Sequence, residues 1–183
     1  LTLTLQTAAG TTPTSTDPVR VRFRNATLGT GGTTNVNVTA ATTLVISAGS
    51  TLGTVSAQAH RIYIGLLNNA GTAELFVYNP LSGTSLRGLS ESGLITTTAE
   101  GGAGGADSAQ VSYSTTARTS VAFRIIGFFE STQSTAGNWA TSPSTIQELQ
   151  PWMPRTGHVV GSAITTTGAH TTGVTTIPAD DTL

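Results

Sequence analysis

Cysteine and lysine are both absent from this 183-residue chain, methionine occurs once, and only 9% of residues carry charge. Each shortage excludes something. Without cysteine there is no disulfide framework, CxxC redox pair, thiolate zinc site or cysteine nucleophile. Without lysine the phosphate-reaching residue of a P-loop is missing. The eight basic residues are all arginines, and nine acids set the formal net charge at −1. That leaves no basic surplus for nucleic acid or for an anionic membrane surface. No run of about 18 apolar residues exists to cross a bilayer, and no charged-then-apolar leader stands at the start. The chain opens on Leu1 and its sole methionine is Met153, so we expect an internal or processed piece of a longer protein.

Solubility must then rest on Thr, Ser, Asn and Gly. Threonine is the one of these that also favours strands, and the composition reads as β-rich. Residues 1–18, "LTLTLQTAAGTTPTSTDP", are expected to form an extended N-terminal arm and linker. From residue 19 the pattern changes: Val19, Val21 and Phe23 alternate with Arg20, Arg22 and Arg24, the period-two signature of a strand with one apolar face. Val36 and Val38 alternate with asparagines, and a compact apolar run follows at 44–46. "HRIYIGLLNNAGTAELFVY" predicts two strands, about residues 61–67 and 73–78, joined by the turn residues Asn68 to Gly71. "SLRG", "GLITTT" and "AQVSYST" read as further short strands. "SVAFRIIGFFES" is a nearly continuous apolar run and predicts the most buried one. No capped helical stripe is found, although Thr145 to Leu149 could make one short helical turn. Short strands at intervals of about 8 to 12 residues predict an all-β fold, an antiparallel β-sandwich or jelly-roll-like domain over residues 19–150. Residues 151–183 predict an extended C-terminal segment.

Catalytic and ligand chemistry finds few footholds. The glycines at 101, 102, 104 and 105 miss the G-x-G-x-x-G spacing and are followed by a strand rather than a helix, so they read as an inter-strand loop. Glu100 and Asp107 beside them fall short of the six to eight oxygens that calcium takes. His60, His158 and His170 lie in separate segments with no paired spacing; a histidine of the C-terminal segment converging on a three-fold axis is the weaker alternative to ordinary hydrogen-bonded histidines. The acids are scattered singly, with no dyad for acid–base work, and no G-x-S-x-G elbow is present. We therefore expect no enzyme, no metal and no cofactor. Arg20, Arg22 and Arg24 form the one local concentration of charge. They read either as a solvated outer face or as a subunit contact, since arginine forks suit carboxylates and carbonyls. Trp139, Trp152 and Tyr113 could stack on a glycan, against the commoner role of core or interface aromatics.

Four stretches carry a family likeness: "ISAGSTLGT", "TAEGGAGGADSAQ", "GFFESTQSTAGNWATSPSTIQ" and "TTGVTTIPADDT". In this order, across about residues 19–183, the chain resembles a domain of fibre-type virion proteins of tailed bacteriophages. "TGHVVGSA" stands where that family usually has an acidic, valine-rich "GDVVQ"-like segment. The resemblance implies a non-enzymatic structural protein on the surface of the virion, a homotrimeric tail-fibre or head-fibre subunit involved in host attachment. Its expected partners are its own copies and other tail or capsid proteins, with a host surface glycan bound through a distal domain, and with neither nucleic acid nor membrane insertion. The glycine loop would then let chains approach closely at a trimer axis or a neighbouring virion protein. A carbohydrate-binding module or adhesin that itself contacts host glycans is the alternative.

Overall fold

β-branched and aromatic residues fit a half-buried pleated surface, and the longest run of them becomes the spine of the fold. A computed structural model describes residues 1–24 and 32–149, which lie in one compact unit, Leu1–Leu149. The twelve strands of the described residues are β1 (Thr2–Thr4), β2 (Val19–Arg24), β3 (Thr33–Val38), β4 (Thr43–Val45), β5 (Ala59–Asn69), β6 (Thr72–Tyr78), β7 (Leu81–Ser82), β8 (Ser85–Leu86), β9 (Ser92–Ala99), β10 (Ser112–Ser114), β11 (Arg118–Thr132) and β12 (Thr145–Glu148). No helix occurs among the described residues. The chain is all-β there, as its composition implies.

Strand β11 is the apolar "SVAFRIIGFFES" run, and it pairs with β5 along nearly its whole length. β5 continues into β6 through Ala70 (φ 49°) and Gly71 (φ 94°), with Asn69 opposite Thr72. Two successive left-handed residues give the type I′ turn whose twist suits a hairpin. β6 pairs with β10, β10 with β9, and β9 returns to β11. These five strands form a closed barrel, where the sequence predicts a sandwich or jelly roll. Closure removes the free edges that an open sheet leaves unpaired. One pairing is not antiparallel: β10 runs parallel to β9, with Tyr113 opposite Thr98. The connection from 100 to 111 crosses over instead of turning back as a hairpin.

Sheet residues feed two apolar clusters. Ile62, Leu66, Leu75, Val77 and Phe129 join Val21, Phe23, Val36, Val38, Leu44, Ile46, Leu52 and Trp139 in the larger one. Leu67, Phe76, Tyr78, Phe123 and Ile125 form the second. Burial on both faces explains why β5 and β11 read as continuous apolar runs while the peripheral β2 alternates strictly. The β2–β3 pair turns Val21, Phe23, Val36 and Val38 inward and leaves Arg20, Arg22, Arg24, Asn35 and Asn37 exposed.

Two local expectations change. Residues 1–18 do not stand off as an arm: β1 pairs with β4, Ile46 N donates to Leu1 O at 2.8 Å, and Leu1, Leu3 and Leu5 pack on the larger cluster. The Leu–Thr alternation is that of a strand with one buried face. Residues 145–148 form strand β12 on β11, not a helical turn. Gly127 admits it, because a Cβ there would lie 2.6 Å from Gln147 O. The expected C-terminal segment 151–183 lies outside the described residues.

Candidate functional site

The glycine loop after β9 starts from a carboxylate that the sequence reads only as an incomplete calcium ligand. Glu100 is 6% exposed. Its Oε1 accepts from Ser47 N at 2.8 Å and Ser50 Oγ at 2.6 Å; its Oε2 accepts from Ser47 Oγ at 3.0 Å and Gly102 N at 3.1 Å. Burial alone would raise its pKa. The donors from Ser50, Ser47 and Gly102 together outweigh that and hold the carboxyl below its ordinary value. A carboxylate accepting several charge-assisted hydrogen bonds is a strong local anchor. It joins residues about fifty positions apart.

Three loops converge on this anchor. Asp107 Oδ1 accepts from Thr51 N at 2.8 Å, and Leu52 N donates to Ala106 O at 2.7 Å. Asn79 Nδ2, buried, donates to Leu52 O at 2.9 Å. From the loop after β11, Trp139 Nε1 donates to Ser50 O at 2.8 Å, and Gly137 O accepts from Gly49 N at 2.9 Å. Ala57 N donates to Gln133 O at 2.7 Å. Leu52 is buried at φ 51°, a conformation costly for a leucine that persists only where its surroundings over-determine it. At Gly53 (φ 68°) a Cβ would run into the backbone of Ala109. Small residues are thus used here for close approach between loops of one chain.

The residues singled out for recognition fall into two groups. Trp139 and Tyr113 are 8% and 3% exposed. Trp139 stacks edge-on against His60 and Phe129, and Tyr113 Oη accepts from Ser108 N at 3.1 Å. Neither offers a ring face for glycan stacking, because both fill the core beneath the loops; Trp152 lies outside the described residues. Arg20, Arg22 and Arg24, by contrast, are exposed in a row. Arg22 Nε donates to Thr33 Oγ1 at 2.9 Å. The ion pairs of the described residues are Arg61–Glu130, Arg118–Glu74 and Arg124–Glu91, so the β2 row has no acidic partner among them.

A surface cleft of about 560 Å³ lies between the β3–β4 turn, the β5–β6 turn and residues 115–116. Its wall is rich in threonine, and its carboxylate, Glu74, is engaged by Arg118 and Asn69. The Arg118 hydrogen bonds lower the Glu74 pKa more than burial raises it, which suits an ion pair and not a general base. Among the described residues no three His, Asp or Glu side chains converge as metal ligands, and no helix is long and apolar enough to cross a membrane. His158 and His170 lie outside the described residues. No family model, curated protein or solved structure matches the chain.

Proposed function

We propose that this chain is a non-enzymatic structural subunit of a virion fibre of the tailed-phage type, trimeric and placed on the particle surface as a tail or head fibre. The single observation that carries the reading is where the family-like stretches lie. "ISAGSTLGT", "TAEGGAGGADSAQ" and the "GFFESTQSTAGNW" part of the third are far apart in sequence, yet they meet around Glu100, through Ser47, Ser50, Gly49 with Gly137, and Trp139. Motifs whose side chains hold loops together specify a scaffold; motifs of an active site would aim reactive groups into a cleft. On this reading the β2–β3 and β1–β4 ribbons, packed over one face of the barrel sheet, are the second layer of a sandwich-like arrangement. The exposed arginines of β2 are then a subunit contact, and any host glycan is met by a distal part of the fibre.

Sedimentation equilibrium on the 183-residue chain, paired with localisation of the chain in intact particles, tests the proposal. Three copies per assembly and a position in a fibre are the expected results. A stable monomer at micromolar concentration that is absent from particles would overturn it.

A further inference from the structure

Beyond the scaffold reading, and independent of it, one cluster of side chains has unmet chemistry. His60 on β5 and Ser131 on β11 are directly opposed in the ladder, two residues beyond the Ile62–Phe129 pair. Opposed residues on one face bring their Cβ atoms to about 4.5–5.5 Å. Gln133 stands just past the end of β11, two residues after Ser131, and both are buried while Thr132 between them is exposed. The Gln133 backbone carbonyl is fixed by Ala57 N. All three are deeply buried: His60 is 7% exposed, Ser131 2% and Gln133 1%. Yet His60 Nε2, Ser131 Oγ, Gln133 Nε2 and Gln133 Oε1 have no protein hydrogen-bond partner.

Four orphaned polar atoms on buried side chains at the end of one ladder are unusual, because buried polar atoms without a partner cost about 1–3 kcal/mol each. We infer that His60, Ser131 and Gln133 form a built site for ordered water, with at least one molecule donating to His60 Nε2 and accepting from the Gln133 amide. The tautomer follows from the other ring nitrogen. Nδ1 lies 3.4 Å from Gln58 O, a carbonyl that can only accept, so Nδ1 carries the proton and Nε2 offers a lone pair. Water is the ligand class that fits, since it both donates and accepts and carries no charge. Burial lowers the His60 pKa against a smaller opposing effect of the Gln58 carbonyl, which keeps the ring neutral and gives an ion no counter-charge. The Trp139 ring stands edge-on to His60, with centroids 5.9 Å apart. Its N–H is spent on Ser50 O, so it closes the site without satisfying it. Internal waters of this kind number about one per 27 residues and make about three hydrogen bonds each. Here they would join the end of the β5–β11 ladder to the loop after β11.

The test is water–protein cross-relaxation by NMR on the uniformly ¹⁵N,¹³C-labelled chain. Expected are cross peaks from water to the Gln133 side-chain amide protons and to His60 Hε1, with the NOE sign of a molecule resident for longer than about 1 ns, and a His60 Nε2 shift of an unprotonated acceptor. Gln133→Leu should abolish the water peaks at His60 or weaken them several-fold. Should that variant fail to fold, the wild-type peaks at both residues decide alone. A folded wild-type chain with no such peaks, or with a direct Ser131 Oγ–H to His60 Nε2 bond seen as a slowly exchanging hydroxyl, overturns the assignment.

Discussion

The barrel sheet and the loops joined at Glu100 are held by different forces. In β5, β6 and β11, Ile62, Leu66, Leu67, Phe76, Val77 and Phe129 are completely buried. Their stability is a sum over apolar area, at about 25 cal/mol per Å², so no single residue is indispensable. The loops of residues 47–58, 100–111 and 133–140 bury few apolar side chains, chiefly Leu52, Ala106 and Trp139. They depend on the carboxylates of Glu100 and Asp107, a few backbone bonds and the room glycine leaves. A sheet of the first kind should yield gradually to substitution, and a loop cluster of the second kind should fail at particular atoms.

The largest effect should follow Glu100→Ala. It leaves Ser47 N, Ser47 Oγ, Ser50 Oγ and Gly102 N without their acceptor. With unsatisfied groups costing about 1–3 kcal/mol each and some regaining water, the loss should be about 3–5 kcal/mol by urea unfolding. A loss near that of an ordinary surface substitution would remove the distinction between the two regions. Gly53→Ala comes next. It meets both a left-handed φ and the Ala109 backbone, and should cost on the order of 3 kcal/mol.

Acid should lower stability through the loop carboxylate Glu100 and through His60 on strand β5. Glu100 has a folded pKa below 4.5, so its contribution is complete above 4.5 and is lost as pH falls through the folded value. His60 has a folded pKa below 6.5. The unfolded chain therefore binds that proton first, and stability begins to fall as pH drops below 6.5. Thermal midpoints measured from pH 7 downward should decline in these two stages, and Glu100→Gln should flatten the lower one. A midpoint that rises on acidification contradicts both signs. Smallest of all, the triple change of Arg20, Arg22 and Arg24 to serine should leave the midpoint of the isolated chain unaltered, since no acid pairs with them among the described residues. If the row is a subunit contact, the same change should lower the assembled fraction in sedimentation.

The sheet was far more legible than the loops, for a physical reason. The Asn68–Gly71 turn, the strict alternation of β2 and the apolar run of β11 are local signals, written in neighbouring residues. Closure of β9 on β11, the parallel β9–β10 pair and the β12 strand depend on partners far away in the chain. Sequence gives their residue types but not their pairing. Glu100 is the sharpest case. Beside glycines it reads as an incomplete calcium ligand, and only the fold brings Ser47 and Ser50 to it. Trp139 and Tyr113 were ambiguous for the same reason, since an aromatic ring in a Ser/Gly-rich stretch can equally face solvent or fill the core beneath.

Native-state hydrogen exchange tests the central claim most directly, because it reads each amide of the loops separately. The account predicts that Ser47, Gly49, Leu52 and Gly102 amides, all of them donors within the loop cluster, exchange slowly in the wild-type chain. In Glu100→Gln they should lose protection together, while Leu66, Val77 and Phe129 in the sheet keep theirs. Fast exchange of the loop amides in the wild type, or a uniform loss across loops and sheet in the variant, would contradict it.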